Sequence, residues 1–190
     1  MLTQIFSFLV DVVTSFFVYL LLARFLFQWL RVPFRNPFGQ FIIEATNWMV
    51  MPARKVIPAL FGLDFASLLL AWLIQGLAIW AFYAIAGLSL GSAPEVAAGV
   101  IAGLALIDLV RNTVIVLIVI LLVQAVLSWV SPHSPIMPVF DAMTRPFLRP
   151  IRRVVPPLAS VDLSPLILIV VLQILLIPLA HGRALLAALF

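Results

Sequence analysis

NPFGQFIIEATNWMVMPARKVIPALFGLDFAS, residues 36–67, returns in design as SPIMPVFDAMTRPFLRPIRRVVPPLASVDLSP, residues 134–165. At a constant offset of 98 residues Pro37 matches Pro135 and Thr46 matches Thr144. Pro52, Arg54, Val56 and Pro58 match Pro150, Arg152, Val154 and Pro156, and Asp64 matches Asp162. A register held over so many positions marks an internal repeat. The alignment continues without a gap to Gln75 and Gln173. Upstream, after a shift of two residues, it pairs Leu21, Leu22 and Trp29 with Leu121, Leu122 and Trp129. Each unit is therefore a hydrophobic stretch, a basic Pro-rich loop and a second hydrophobic stretch.

The surrounding composition says what medium those stretches occupy. With 65% hydrophobic and 9% charged residues the chain is far more apolar than a soluble domain, in which charged residues alone make up about a quarter. The expected class is an all-α integral membrane protein. Cysteine is absent, so disulfides, thiolate metal sites and cysteine nucleophiles are excluded. The net charge of +4 is concentrated on arginine. In so apolar a chain those arginines set topology and meet anionic lipid, which makes nucleic acid a disfavoured partner.

A helix needs about 20 predominantly apolar residues to cross the hydrocarbon core. Four stretches qualify: Ile5–Leu30, Leu68–Leu88, Thr113–Val130 and Leu163–Ala180. Met1–Val10 has no positive n-region and no cleavage-site pattern, so the first stretch is expected to stay as a span. The expected organisation is a first repeat over 1–90, an inter-repeat segment over 91–112, a second repeat over 113–180 and an apolar tail over 181–190. Residues 95–112 are ambiguous, since they read either as an interfacial segment or as an extension of the third helix that protrudes, tilts or breaks near Asn112. Asp108 and Arg111 stand three apart, the spacing of an ion pair on one helical face.

Arg31, Arg35, Arg54 and Lys55 fall in the first repeat loop, and Arg145, Arg149, Arg152 and Arg153 in the second; the loop between repeats holds only Arg111. Both repeat loops are expected in the cytoplasm and both termini outside. Two spans separate the copies, so they share one orientation. Within the loops, Phe38, Phe41, Ile42, Ala45 and Met49 recur at helical spacing, as do Ile136, Val139, Phe140, Met143 and Phe147. Each set predicts a short amphipathic helix on the membrane face. Pro52 and Pro150 are expected to end those helices, and Pro58 and Pro156 to prevent new ones.

Thr144, Arg145, Pro146, Phe147, Leu148, Arg149, Pro150, Ile151, Arg152 and Arg153, followed by Pro156 and by Asp162, Leu163, Ser164 and Pro165, closely resemble the YggT family, whose bacterial members carry two such repeats. The resemblance covers nearly the whole chain. It implies a small bacterial inner-membrane protein, with plastid relatives called YlmG. It also implies an association with osmotic-stress tolerance and cell-division gene neighbourhoods in bacteria, and with nucleoid organisation and cytochrome b6 maturation in plastids. The chain departs from the family pattern where an arginine precedes the tryptophan: Arg24 fits, but its counterpart is Gln124. The first copy also has Asn47 and Trp48 against Arg145 and Pro146, and Ala66 and Ser67 against Ser164 and Pro165. The two copies are therefore not expected to offer equal basic sites.

Arg54, Lys55, Arg149, Arg152 and Arg153 are the candidate platform for a partner protein or anionic headgroups; the plainer account is that they only enforce topology. Asp64 and Asp162 precede the second span of each unit, where helix capping is the simplest role, reinforced by Ser164 and Pro165. An ion pair to Arg54 or Arg152 is the alternative, with ion coordination third. Arg24 lies six residues, about 9 Å, inside Leu30, within snorkelling reach of the interface. Gln75, Gln124 and Gln173 are polar groups suited to interhelical hydrogen bonds. Trp29 and Trp129 read as interface anchors.

No metal-ligand spacing, nucleophile and base pairing or Gly-rich phosphate loop is present, so neither a cofactor nor an enzymatic reaction is expected. Two functions fit. One is a non-enzymatic assembly or organising factor that displays a basic cytoplasmic platform. The other is a small permeation protein for ions or osmolytes, acting as one chain or as a homo-oligomer; against it, no acidic residue is expected near the bilayer midplane.

Overall fold

The computed structural model describes residues 1–57, 63–85, 94–131, 133–154 and 162–188, and shows six helices. They are α1 (Leu2–Trp29), α2 (Pro37–Val56), α3 (Phe65–Ile85), α4 (Pro94–Val130), α5 (Met137–Val154) and α6 (Ser164–Ala187). The longest apolar ones, α1, α3, α4 and α6, are each long and apolar enough to cross a membrane. The other two are the basic loops of the repeat, so α1–α2–α3 and α4–α5–α6 are two copies of one design.

Local chemistry sets the boundaries. Helix α1 closes with Val32 N–H donating to the Phe27 carbonyl at 2.8 Å and Arg31 N–H to that of Gln28 at 3.1 Å, with Arg31 at φ 55°. This is a helix-ending motif whose left-handed position usually goes to glycine. Helix α2 opens on Asn36, whose Oδ1 accepts from Gly39 N–H at 2.8 Å, with Pro37 in the first turn where a missing N–H costs nothing. A Cβ at Gly39 would lie 2.9 Å from the Phe34 backbone, so only glycine lets α2 start this close to the turn.

Within each copy the two spans pack as an antiparallel hairpin, α1 on α3 and α4 on α6, and α3 packs on α4 to join the hairpins. Helix α2 lies across α1 and α3, and α5 across α4 and α6. The main apolar cluster belongs to both copies: Leu26, Phe27 and Ile42 meet Leu117, Ile120, Val139, Phe140 and Met143. Rings reinforce that seam, with Phe38 and Phe140 at 6.2 Å and Trp29 and Phe147 at 6.2 Å between centroids. A second cluster, with Leu21, Leu22, Ala71 and Leu109, seals the α1–α3–α4 contact. Large apolar side chains such as Phe16, Leu73, Val119 and Ile174 point away from these clusters, as a lipid-facing surface requires.

Several expectations change. Helix α4 is continuous through Asn112; its 37 residues reach about 56 Å against roughly 30 Å of hydrocarbon, so residues 95–112 extend the third helix. Helix α6 runs on to Ala187, so His181–Ala187 continue the fourth span and do not form a separate tail. Pro52 does not end α2, and neither Pro146 nor Pro150 ends α5. Each proline forfeits one hydrogen bond, but packing on both sides of it holds the direction. Val50 and Ala53 share one apolar cluster, and Leu148 and Ile151 share another. Pro58 and Pro156 lie outside the described residues. The buried face of α2 is Gly39, Ile42, Thr46 and Val50, while Phe38 and Phe41 are exposed.

Candidate functional site

The polar centre of the first copy is built on Asp64, the residue before α3. Its carboxylate caps the helix by accepting from Ser67 N–H at 3.3 Å and Ser67 Oγ at 2.7 Å. The same carboxylate accepts from Arg54 Nη2 at 2.6 Å and from Arg24 Nε at 3.2 Å. Capping and ion pairing, posed as alternatives, therefore coexist, because a carboxylate offers about four lone-pair directions. Burial alone would raise the Asp64 pKa; the Arg54 hydrogen bonds, the Ser67 hydroxyl and the Arg54 charge outweigh it and hold the carboxyl below its ordinary value.

Arg24 does not snorkel. It is 4% exposed, and its Nη1 donates to Thr46 Oγ1 at 2.7 Å and Asn47 Oδ1 at 3.0 Å. Helix α2 folds back over it, so the route to the interface is closed and the protein supplies the partners that water would have given. One guanidinium thus ties α1, α2 and the start of α3 together.

The second copy is built differently. Asp162 accepts from Arg152 at 2.7 and 2.8 Å and from Ser164 N–H at 2.9 Å, again combining ion pair and cap, and its carboxyl is likewise held low. Burial pushes it upward, but the Ser164 and Arg152 hydrogen bonds prevail. Gln124, in the place of Arg24, turns away to Asp141, donating from Nε2 to Oδ1 at 2.5 Å. Its buried Oε1 and the buried Ser164 Oγ find no partner among the described residues. The second copy carries its arginine instead at Arg145, opposite Asn47, where it is exposed. With Arg149, Arg152 and Arg153 it lines a shallow basic hollow on α5.

A second polar region lies at the other end of the spans. A cavity of about 860 Å³ opens between the halves of α1, α3, α4 and α6 that lie away from α2 and α5. Ser7, Asp11, Ser15 and Tyr19 line it from α1, each four residues after the last and so on one face of that helix. Gln75 enters from α3, Asp108, Arg111 and Asn112 from α4, and Arg183 from α6. Asp108 does not pair with Arg111; it accepts from Arg183 Nε at 2.8 Å and from Gln75 Nε2 at 3.5 Å. Along α3, Gln75 stands eleven residues, about 16 Å, beyond Asp64; along α4, Asp108 stands 22 residues, about 33 Å, before Val130.

Matches to a family model fall on the same two copies. The model described as CCB3/YggT covers residues 3–85 and 103–181. This chain belongs to the CCB3/YggT family. Protein YggT of Escherichia coli K12 is 36% identical over 171 residues, 89% of this chain and 86% of its own length. A Vibrio alginolyticus relative is 36% identical over 88% of this chain and 89% of its own, and a Pseudomonas aeruginosa relative 32% identical over 85% and 81%. All three are described as uncharacterized. No solved structure matches the chain.

For this YggT-family chain the sequence singled out most of the first polar centre but did not assemble it. Arg24, Arg54 and Asp64 meet in one network. Gln75 makes an interhelical hydrogen bond; Gln173, exposed on α6, makes none with any described residue. Lys55, Arg149 and Arg153 are exposed and free of described partners, whereas Arg54 and Arg152 are engaged by aspartates. Thr46, Asn47 and Ser67 went unremarked as ligands, as did the α1 polar stripe and Arg183.

Proposed function

We propose that this protein is a non-enzymatic organising factor of the bacterial inner membrane, with α2 and α5 on the cytoplasmic face and both termini outside. Its basic face, on α5, receives an anionic lipid headgroup or an acidic segment of a partner protein. One observation carries the reading: Arg145, Arg149 and Arg153 share a hollow in which the only described acidic partner, Asp162, is already taken by Arg152. Several guanidinium groups converging without counter-charge suit a phosphate or carboxylate. In the first copy the corresponding guanidinium is spent internally, by Arg24 on Asp64, so the two faces do unequal work. The osmotic-stress association implied by the family resemblance supplies a phenotype to score.

Paired charge reversal, Arg149→Glu with Arg153→Glu, tests it. Loss of complementation of a deletion strain, with insertion and orientation intact by cysteine accessibility at Lys55→Cys, is the expected result. Full rescue defeats the platform.

Asp108 and the polar cavity it lines favour permeation as a second reading. Against it, the buried apolar side chains of Leu21, Leu22, Ala71 and Leu109 pack between the cavity and the Arg24 centre, which interrupts a polar path through a single chain. Ion flux in proteoliposomes of the purified protein separates the two, since the platform predicts none.

A further inference from the structure

The outer cavity has charges of both signs that the fold leaves unused. Asp108 and Arg183 are paired with each other, across α4 and α6. Asp11 and Arg111 also line the cavity, yet neither forms a hydrogen bond or ion pair with any described residue. Both are exposed, 18 and 19 residues, about 27–29 Å, from the ends of α1 and α4 that adjoin α2 and α5, so water or a ligand meets them at the far end of the cavity. Packing gains nothing from them.

The charge balance indicates what that ligand is. Asp11 and Asp108 against Arg111 and Arg183 sum to zero, so a lone monovalent ion entering the cavity gains no net attraction from its walls. A molecule that carries both signs gains twice: its cation at Asp11 and its anion at Arg111. The volume, about 860 Å³, lies within the range of small-molecule sites. At its inner end the cavity meets the apolar cluster of Leu21, Leu22, Ala71 and Leu109 and does not run on to the Arg24 centre, as suits a binding site more than a passage. Its flanks, α1 and α6, share no packed seam, whereas each packs firmly within its own hairpin. The cavity is thus open sideways to the bilayer between those two helices, with Phe8 and Phe82 among its apolar lining.

We propose that this cavity binds a zwitterionic group, an ammonium and an acidic phosphodiester or carboxylate carried by one molecule, with Asp11 receiving the ammonium and Arg111 the anion. The site lies on the face of the membrane opposite the basic helices and does not depend on the platform for its logic. The ligand chemistry has two sources, the headgroup of a zwitterionic phospholipid entering sideways and a free zwitterion entering from the aqueous side.

The purified full-length protein, delipidated in detergent, is offered phosphatidylethanolamine, phosphatidylglycerol or soluble glycerophosphoethanolamine, and retention is read by native mass spectrometry. Preference for the zwitterions over phosphatidylglycerol is expected. Asp11→Asn and Arg111→Gln should each weaken it about tenfold, the loss of one charge-assisted hydrogen bond. Both residues lack described partners, so unchanged thermal unfolding is expected in both variants, and the wild-type preference is a test that needs no variant. Retention of phosphatidylethanolamine that the soluble headgroup cannot displace assigns the site to lipid; binding of the soluble headgroup with the same sensitivity to both substitutions assigns it to a free zwitterion. Equal retention of phosphatidylglycerol, indifference to both substitutions, or no retention of any probe overturns the proposal.

Discussion

At the residue scale the two copies differ by an exchange. Arg24 and Asn47 in the first stand where Gln124 and Arg145 stand in the second, so each copy has one arginine of the pair, buried in one case and exposed in the other. The buried one is held by Asp64, Thr46 and Asn47, and removing its charge leaves that carboxylate short of a donor. Arg24→Gln is expected to lower stability in detergent by about 2–3 kcal/mol, less than for a fully orphaned buried charge because Arg54 and Ser67 remain on Asp64. Thermal or chemical unfolding of the variant beside wild type measures it. Depth along the helix put Arg24 within reach of water, and that reading failed because one-dimensional depth does not say what folds over a residue. The compensating change at Asn47 and Arg145 was visible in the repeat alignment and was the better guide.

The Asp64 carboxyl also sets a pH dependence. Its folded pKa is depressed, so the stability it contributes is present above the unfolded value, near 4, and is lost as pH falls through the lower folded value. The unfolding midpoint should stay level from pH 7 to about 5 and drop below about 4, and Asp64→Asn should flatten that drop. A midpoint that falls between pH 7 and 5, or an acid limb unchanged in the variant, would contradict the network.

At the element scale, composition and length located all four spans, because an apolar run of about 20 residues has few other uses. Helix ends were less legible. Proline was read as a stop, yet α2 and α5 pass through theirs, since tertiary packing on either side outweighs a single lost hydrogen bond. It follows that Pro52 is tolerated in α2 and not required to end it. Pro52→Ala returns an N–H that can donate to the Trp48 carbonyl one turn earlier. The variant is expected to keep its helical circular dichroism and to gain between zero and about 2 kcal/mol; a loss of helix or of stability would show that the proline shapes α2. The α1 stripe of Ser7, Asp11, Ser15 and Tyr19 went unread for a different reason. Three of its members are mild enough to pass within a hydrophobic window, and only their common spacing of four reveals the face.

At the scale of the whole molecule, the repeat foretold two like-oriented hairpins but not how they share a core. That core forms because neither copy buries its own basic helix completely: Ile42 of α2 and Phe140 and Met143 of α5 complete one cluster with Phe27 and Leu117. Such sharing can close within one chain or between two, and repeated units are prone to exchange equivalent elements between copies. The described chain closes it internally, with Trp29 of α1 against Phe147 of α5. Because the sequence has no cysteine, the substitutions Trp29→Cys and Phe147→Cys introduce a single reactive pair without background. Treatment of the double variant in membranes with a short bis-maleimide should lock α1 to α5 within one polypeptide, giving a species of monomer mass that resists separation after proteolysis between α3 and α4. Either single variant, treated alike, should be cut into two free halves. If the double variant instead yields only covalent dimers, the two hairpins of each core come from different chains, and the basic hollow and the outer cavity would each have to be counted per pair of chains.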